Sequence, residues 1–183
     1  LPWFTGAAVL AAGAPSWQIV TIALLYGIGA HGIMTLNDFK AVAGDRQMGI
    51  RSLPATLGPH RAARVACWIM AVPQAIVVTL LTLWDKPLHA ITVLMLLALQ
   101  IAAMRKLLRD PLANAPWYQG TGIILYVSGM MVAAFAFLAS AGLTSVWMFA
   151  IGLSFCGFML MGPDSLLSGV GAIDMGGRRG AVV

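Results

Sequence analysis

The chain has 183 residues, of which 60% are hydrophobic and only 9% charged, against about 25% charged in an ordinary soluble domain. That composition excludes a water-soluble globule. The net charge of +5 arises from 11 Lys and Arg against 6 acids, all of them Asp, a cationic density too thin to track a phosphate backbone, so no nucleic-acid partner is expected.

Residues 1–37, 65–84 and 111–163 carry no charge at all. Backbone polar groups in lipid must be satisfied within their own segment, so uncharged runs of roughly 17 to 25 residues predict spanning α-helices. The predicted fold is all-α, a polytopic transmembrane helical bundle of about five full spans plus a partial first one. In chain order, residues 1–14 form the partial span and end at Ala14-Pro15-Ser16. No initiator Met and no basic segment precede them, so the chain reads as a piece of something longer. Full spans follow at 16–37, 62–84, 87–105, 117–139 and 143–173, the last irregular around Gly162-Pro163. Trp84-Asp85-Lys86-Pro87 is a tight polar turn, and the stretch from Pro111 to Pro116 is expected to break the helix after Arg109.

Lys40, Arg46, Arg51, Arg61 and Arg64 share one connector, Arg105, Lys106 and Arg109 another, and Arg178 and Arg179 flank the last span. Alternating helices place all of these on one side and leave Lys86 on the other. The positive-inside bias then makes the 38–64 loop cytoplasmic. Trp3, Trp17, Trp68, Trp84, Trp117, Tyr118 and Trp147 fall mostly near proposed span ends, as interfacial aromatics do, with stacking on a pigment or an isoprenoid as the other reading. Gly27, Gly29 and Gly32 permit close helix approach. Cys67 and Cys156 sit in apolar runs and read as small hydrophobes.

Residues 36–58, LNDFKAVAGDRQMGIRSLPATLG, concentrate polar and charged groups at a membrane boundary. Asp38 and Asp45 are seven residues apart, two turns of a helix, so one face could carry both carboxylates with Asn37 beside the first. Such hard oxygen donors suit Mg²⁺, which is usually held by one or two carboxylates plus substrate phosphates. Lys40, Arg46 and Arg51 add cationic groups for diphosphate oxygens. A metal-bridged diphosphate site and an ordinary solvated cytoplasmic loop both fit this composition.

The order of residues is more particular than the composition. Asn-Asp-Phe-Lys at 37–40, Gly-Asp-Arg at 44–46 and Arg-Ser-Leu-Pro at 51–54 resemble the second acidic motif of the intramembrane, UbiA-like prenyltransferases, and within them the chlorophyll and bacteriochlorophyll synthases. LPWFTGAA at 1–8, HGIMTLNDFK at 31–40, LLRDP at 107–111 and APWYQGTG at 115–122 look like the bacteriochlorophyll branch, and the resemblance covers about residues 1–139.

The resemblance implies a helical bundle of about nine spans whose two Asp-rich loops hold Mg²⁺ and the diphosphate of an allylic isoprenoid. It implies a Mg-dependent transferase that esterifies a chlorophyllide propionate with geranylgeranyl or phytyl diphosphate. By matched position, Asp38 and Asp45 would hold Mg²⁺ and be catalytic. Asn37, Lys40, Arg46 and Arg51 would bind diphosphate, and Ser52 and Pro54 would shape the loop exit. Partners implied are the isoprenoid diphosphate, the pigment, the lipid bilayer and either the amino-terminal half of the synthase or a photosynthetic complex.

Two departures stand out. Ala43 occupies the position before Gly-Asp-Arg where an acid is expected, which would remove a carboxylate from the site. The family's first Asp-rich motif belongs to the other half of the bundle, and Asp85, Asp110, Asp164 and Asp174 do not form a second acidic loop. This chain would then carry half a site, catalytic only with the other half supplied. A non-catalytic subunit of photosynthetic pigment-protein complexes is the alternative.

His31 reads as a packing histidine before it reads as a pigment ligand, and His60 and His89 as solvated or interfacial. No spacing resembles a zinc site or a Ser-His-Asp hydrolase. Asp110 suits an ion pair or a helix end, and Tyr118 and Gln119 could line the site mouth. Residues 140–183 are expected to form a separate transmembrane helix and cytoplasmic tail. Part of this tail, 149–183, resembles a helix and loop of the organophosphate:phosphate antiporters, and one helix cannot make an alternating-access carrier.

Overall fold

A computed structural model describes residues 17–138. Backbone contacts divide the chain between Ala141 and Gly142, and the description that follows concerns the first unit. The partial span at 1–14, the span at 143–173, and the readings made for Trp3, Trp147, Cys156, Asp164, Asp174, Arg178 and Arg179 lie outside the described residues.

Four long helices carry the unit: α1 (Trp17–Asn37), α4 (Pro59–Leu83), α5 (Pro87–Arg109) and α6 (Pro111–Leu138). Between α1 and α4 lie a 3₁₀ turn (Asp38–Lys40) and two short helices, α2 (Val42–Met48) and α3 (Leu53–Leu57). All four long helices are apolar and long enough to cross a membrane. The chain is an integral membrane protein, and no strand occurs among the described residues.

Prolines set three helix starts. Pro59, Pro87 and Pro111 each occupy the opening of a helix, where the missing N–H has no intrahelical partner to lose and the fixed φ is already helical. The predicted boundaries move accordingly: α4 begins at 59 rather than 62, and α6 at 111 rather than 117. The expected helix-free stretch from Pro111 to Pro116 is a single turn at Asp110. There Asp110 caps α6, its Oδ1 accepting the Ala113 N–H at 3.2 Å, which favours the helix-end role over the ion pair. Pro116 is tolerated inside α6. Lys106 and Arg109 lie in the last turn of α5, where cations oppose the negative end of the helix dipole.

Helix α4 is central, packing against α1, α5 and α6, and α6 also contacts α1. At one end Trp84 meets Trp17 and Phe137 edge-to-face, each with ring centroids 5.1 Å apart. The start of α1 and the ends of α4 and α6 therefore share one level, and the helices alternate in direction. Trp17 and Trp84 behave as span-end aromatics. Trp68 does not: it is 69% exposed nine residues into α4, beside an apolar groove with Leu25, Ile28 and Pro73.

Glycine spacing works at two of the three expected positions. A Cβ on Gly29 would lie 2.0 Å from the Tyr126 hydroxyl, and one on Gly32 would lie 2.8 Å from the Ala66 carbonyl oxygen, whereas Gly27 has nothing within 4 Å. Tyr126 uses the space at Gly29 to donate to the Tyr26 carbonyl at 3.1 Å, joining α6 to α1. Cys67 is buried as a free thiol. His31 is exposed on α1 rather than packed, because the core-facing side of that helix is taken by Gly32, Thr35 and Leu36.

Candidate functional site

The connector from Asp38 to Gly58 joins the end of α1 to the start of α4, at the opposite end from the Trp84 cluster. It does not form one helix across Asp38 and Asp45. The 3₁₀ turn ends at Ala41, whose φ of −108° and ψ of 4° depart from helical values, and α2 starts afresh at Val42. The expected shared helical face is replaced by a kink with a carboxylate on either side.

The two carboxylates differ in burial. Asp38 is half-buried and Asp45 is buried. Two carboxylates on one partly buried connector are donors of the kind a hard cation takes.

Helix α2 ends in a Schellman turn. Gly49 adopts the left-handed conformation at φ 70°, and the Ile50 N–H donates to the Asp45 carbonyl at 2.8 Å. Only glycine takes that conformation without a Cβ penalty, and the reversal brings Ser52 back over Asp45. The Ser52 hydroxyl donates to Asp45 Oδ2 at 2.5 Å. Ser52 is also the residue before α3, in extended backbone, yet makes no side-chain cap there. A serine cap is typically worth about 1 kcal/mol to a helix, so the hydroxyl is engaged by the carboxylate at the expense of an available local bond. Pro54 is buried in α3, consistent with a loop-shaping role.

A second link comes from α6. Gln119 Nε2 donates to the Leu36 carbonyl at 2.8 Å. That carbonyl is in the last turn of α1, where intrahelical donors run out, immediately before Asn37 and Asp38. Gln119 thus holds the root of the connector. Tyr118 was expected at the site mouth with it, but is fully buried, since adjacent helical positions point about 100° apart and its side faces the core.

Asn37 is half-buried, next to Asp38. Lys40, Arg46 and Arg51 are exposed, and the structure does not bring them onto the carboxylate pair. Ala43 is exposed on α2 while Asp45, two residues on, is buried. Positions two apart on a helix point to nearly opposite sides. An acid at 43 would therefore lie on the exposed side of α2, away from Asp45.

The donor set fits a hard divalent cation: two carboxylates of like charge with an amide oxygen beside the first. Among the described residues no group of three or more His, Cys, Asp or Glu comes together, so other oxygens would complete the coordination. Sequence reasoning missed the Ser52 contact, which depends on the turn at Gly49, and missed Gln74 and Gln100. Both glutamines are fully buried between helices, and a polar residue inside an apolar run was the available signal.

A family model described as the UbiA prenyltransferase family matches residues 1–123. The chain is 67% identical over 136 residues to the bacteriochlorophyll synthase 33 kDa chain of Cereibacter sphaeroides, covering 74% of this chain and 45% of that one. It is 58% identical over 139 residues to the protein of the same name from Rhodobacter capsulatus, covering 74% and 46%. Against the chloroplastic chlorophyll synthase of Arabidopsis thaliana it is 34% identical over 137 residues, covering 74% and 35%. The chain spans about half the length, or less, of these curated relatives. No solved structure matches it.

Proposed function

Since the chain belongs to the UbiA prenyltransferase family, we propose that it supplies the carboxyl-terminal part of a bacteriochlorophyll synthase-type enzyme. The reaction is transfer of a geranylgeranyl or phytyl group from its diphosphate to the propionate of a chlorophyllide. The allylic carbon–oxygen bond to diphosphate breaks, and a propionate oxygen forms the new ester bond to that carbon. Bound Mg²⁺ would supply charge stabilisation for the departing diphosphate.

The chain's own residues would divide the work. Asp38 and Asp45 hold the ion and Asn37 supports it. Lys40, Arg46 and Arg51, exposed around the connector, take diphosphate oxygens. The connector faces the cytoplasm by its excess of basic residues. The observation that carries this reading is the buried Asp45, held by the Ser52 hydroxyl on the same connector as Asp38, within the Asn-Asp-Phe-Lys and Gly-Asp-Arg segments.

The test uses membranes holding this chain together with the amino-terminal part of the Cereibacter relative. They are given chlorophyllide, geranylgeranyl diphosphate and Mg²⁺, and esterified pigment is scored. Product that Asp38→Asn reduces by about 100-fold or more is expected, in line with the loss of a group acting on the leaving charge. Absence of product, or product indifferent to Asp38, rejects the assignment.

A further inference from the structure

We infer that Ser52 is a positioning residue that fixes which oxygen of Asp45 is presented to a divalent cation, an inference that rests on the metal-holding role proposed for Asp45. The geometry is local. The left-handed Gly49 turns the chain after α2, the Ile50 N–H closes the turn on the Asp45 carbonyl at 2.8 Å, and residue 52 returns to the side chain of Asp45. There the Ser52 hydroxyl donates to Oδ2 at 2.5 Å. A carboxylate rotates about its last bond unless something holds it. With Oδ2 engaged, Oδ1 is left as the oxygen free to meet an incoming cation, and the rotation is stopped before the cation arrives.

Ser52 is itself held. Its carbonyl accepts the Thr56 hydroxyl at 2.9 Å and the Thr56 N–H at 3.0 Å, and the neighbouring Pro54 is buried. The hydroxyl forgoes the cap of α3 that its position offers. Hydrogen bonds of this kind to a ligating group orient it and tune its basicity, and their loss commonly weakens metal affinity by about 10- to 100-fold.

The experiment follows Mn²⁺ as a paramagnetic stand-in for Mg²⁺, bound to the 183-residue chain in nanodiscs of phosphatidylcholine and phosphatidylglycerol. Free Mn²⁺ is read by electron paramagnetic resonance, with thermal unfolding measured in parallel. Ser52→Ala, which leaves the buried Asp45 Oδ2 without its donor, should lower the melting temperature modestly and, measured well below that transition, weaken Mn²⁺ binding by about 10-fold or more. Ser52→Thr keeps the hydroxyl and should restore binding, because a β-branched residue accepts the extended backbone found at this position. Asp45→Asn should abolish the site.

If Asp45→Asn abolishes binding and Ser52→Ala matches the unsubstituted chain, the positioning role is overturned and the metal site stands. If Ser52→Ala lowers affinity and melting temperature together and Ser52→Thr restores neither, Ser52 is only a loop staple and the inference is again overturned. If the unsubstituted chain binds no better than Asp45→Asn, the metal-holding reading itself falls and takes the inference with it.

Discussion

Gly32 offers a sharp test of how α1 is seated on α4. A Cβ there would lie 2.6 Å from Met70 Cγ and 2.8 Å from the backbone oxygen of Ala66. The Ala66 carbonyl belongs to the α4 backbone and cannot move aside, and the Met70 side chain is fully buried. Ordinary contact starts at 3.4 Å, so Gly32→Ala must part the two helices locally by 3.4 − 2.8, or 0.6 Å. Overpacking of this kind costs about 1–3 kcal/mol. Gly27 is the matched control on the same helix, because a Cβ there meets nothing within 4 Å. Both substitutions gain the same helix-propensity benefit of up to about 1 kcal/mol, which cancels in their difference. Equilibrium unfolding in mixed detergent micelles, followed by tryptophan fluorescence, should therefore place Gly32→Ala about 1–3 kcal/mol below Gly27→Ala. Equal stabilities would refute the packing argument. A parallel loss of Mn²⁺ affinity in Gly32→Ala is expected, since α1 carries Asp38 at its end.

Two further outcomes rest on single residues. Gln119→Leu removes the bond to the Leu36 carbonyl and should cost about 0.5–1.5 kcal/mol, with faster amide hydrogen exchange confined to the end of α1 and the 3₁₀ turn. Asp85 sits at φ 54° in the turn before α5. Asp85→Asn should stay within about 0.5 kcal/mol, while Asp85→Val should cost about 1–2 kcal/mol in the same unfolding assay.

The membrane-spanning helices were legible because their signal is additive along the chain. Each uncharged run from Trp17 onward reports on its own burial in lipid, and the Lys and Arg clusters mark the ends without reference to any partner. The motif residues Asp38 and Asp45 were legible as chemistry for a similar reason, since residue type alone limits what a carboxylate at a membrane boundary can do. Their arrangement was not. Seven-residue spacing implies a common helical face only if the helix is continuous, and the break at Ala41 is a backbone choice that the spacing does not register.

What the tertiary structure decided are the contacts between groups far apart or separated by a reversal. Gln119 reaches Leu36 across 83 positions of chain, Tyr126 fills the notch at Gly29, and Ser52 returns to Asp45 through a left-handed glycine. Hydropathy and periodicity describe how one segment meets its solvent. Directional hydrogen bonds and Cβ-free notches depend instead on where a second segment is held, so they exist only once the helices have packed.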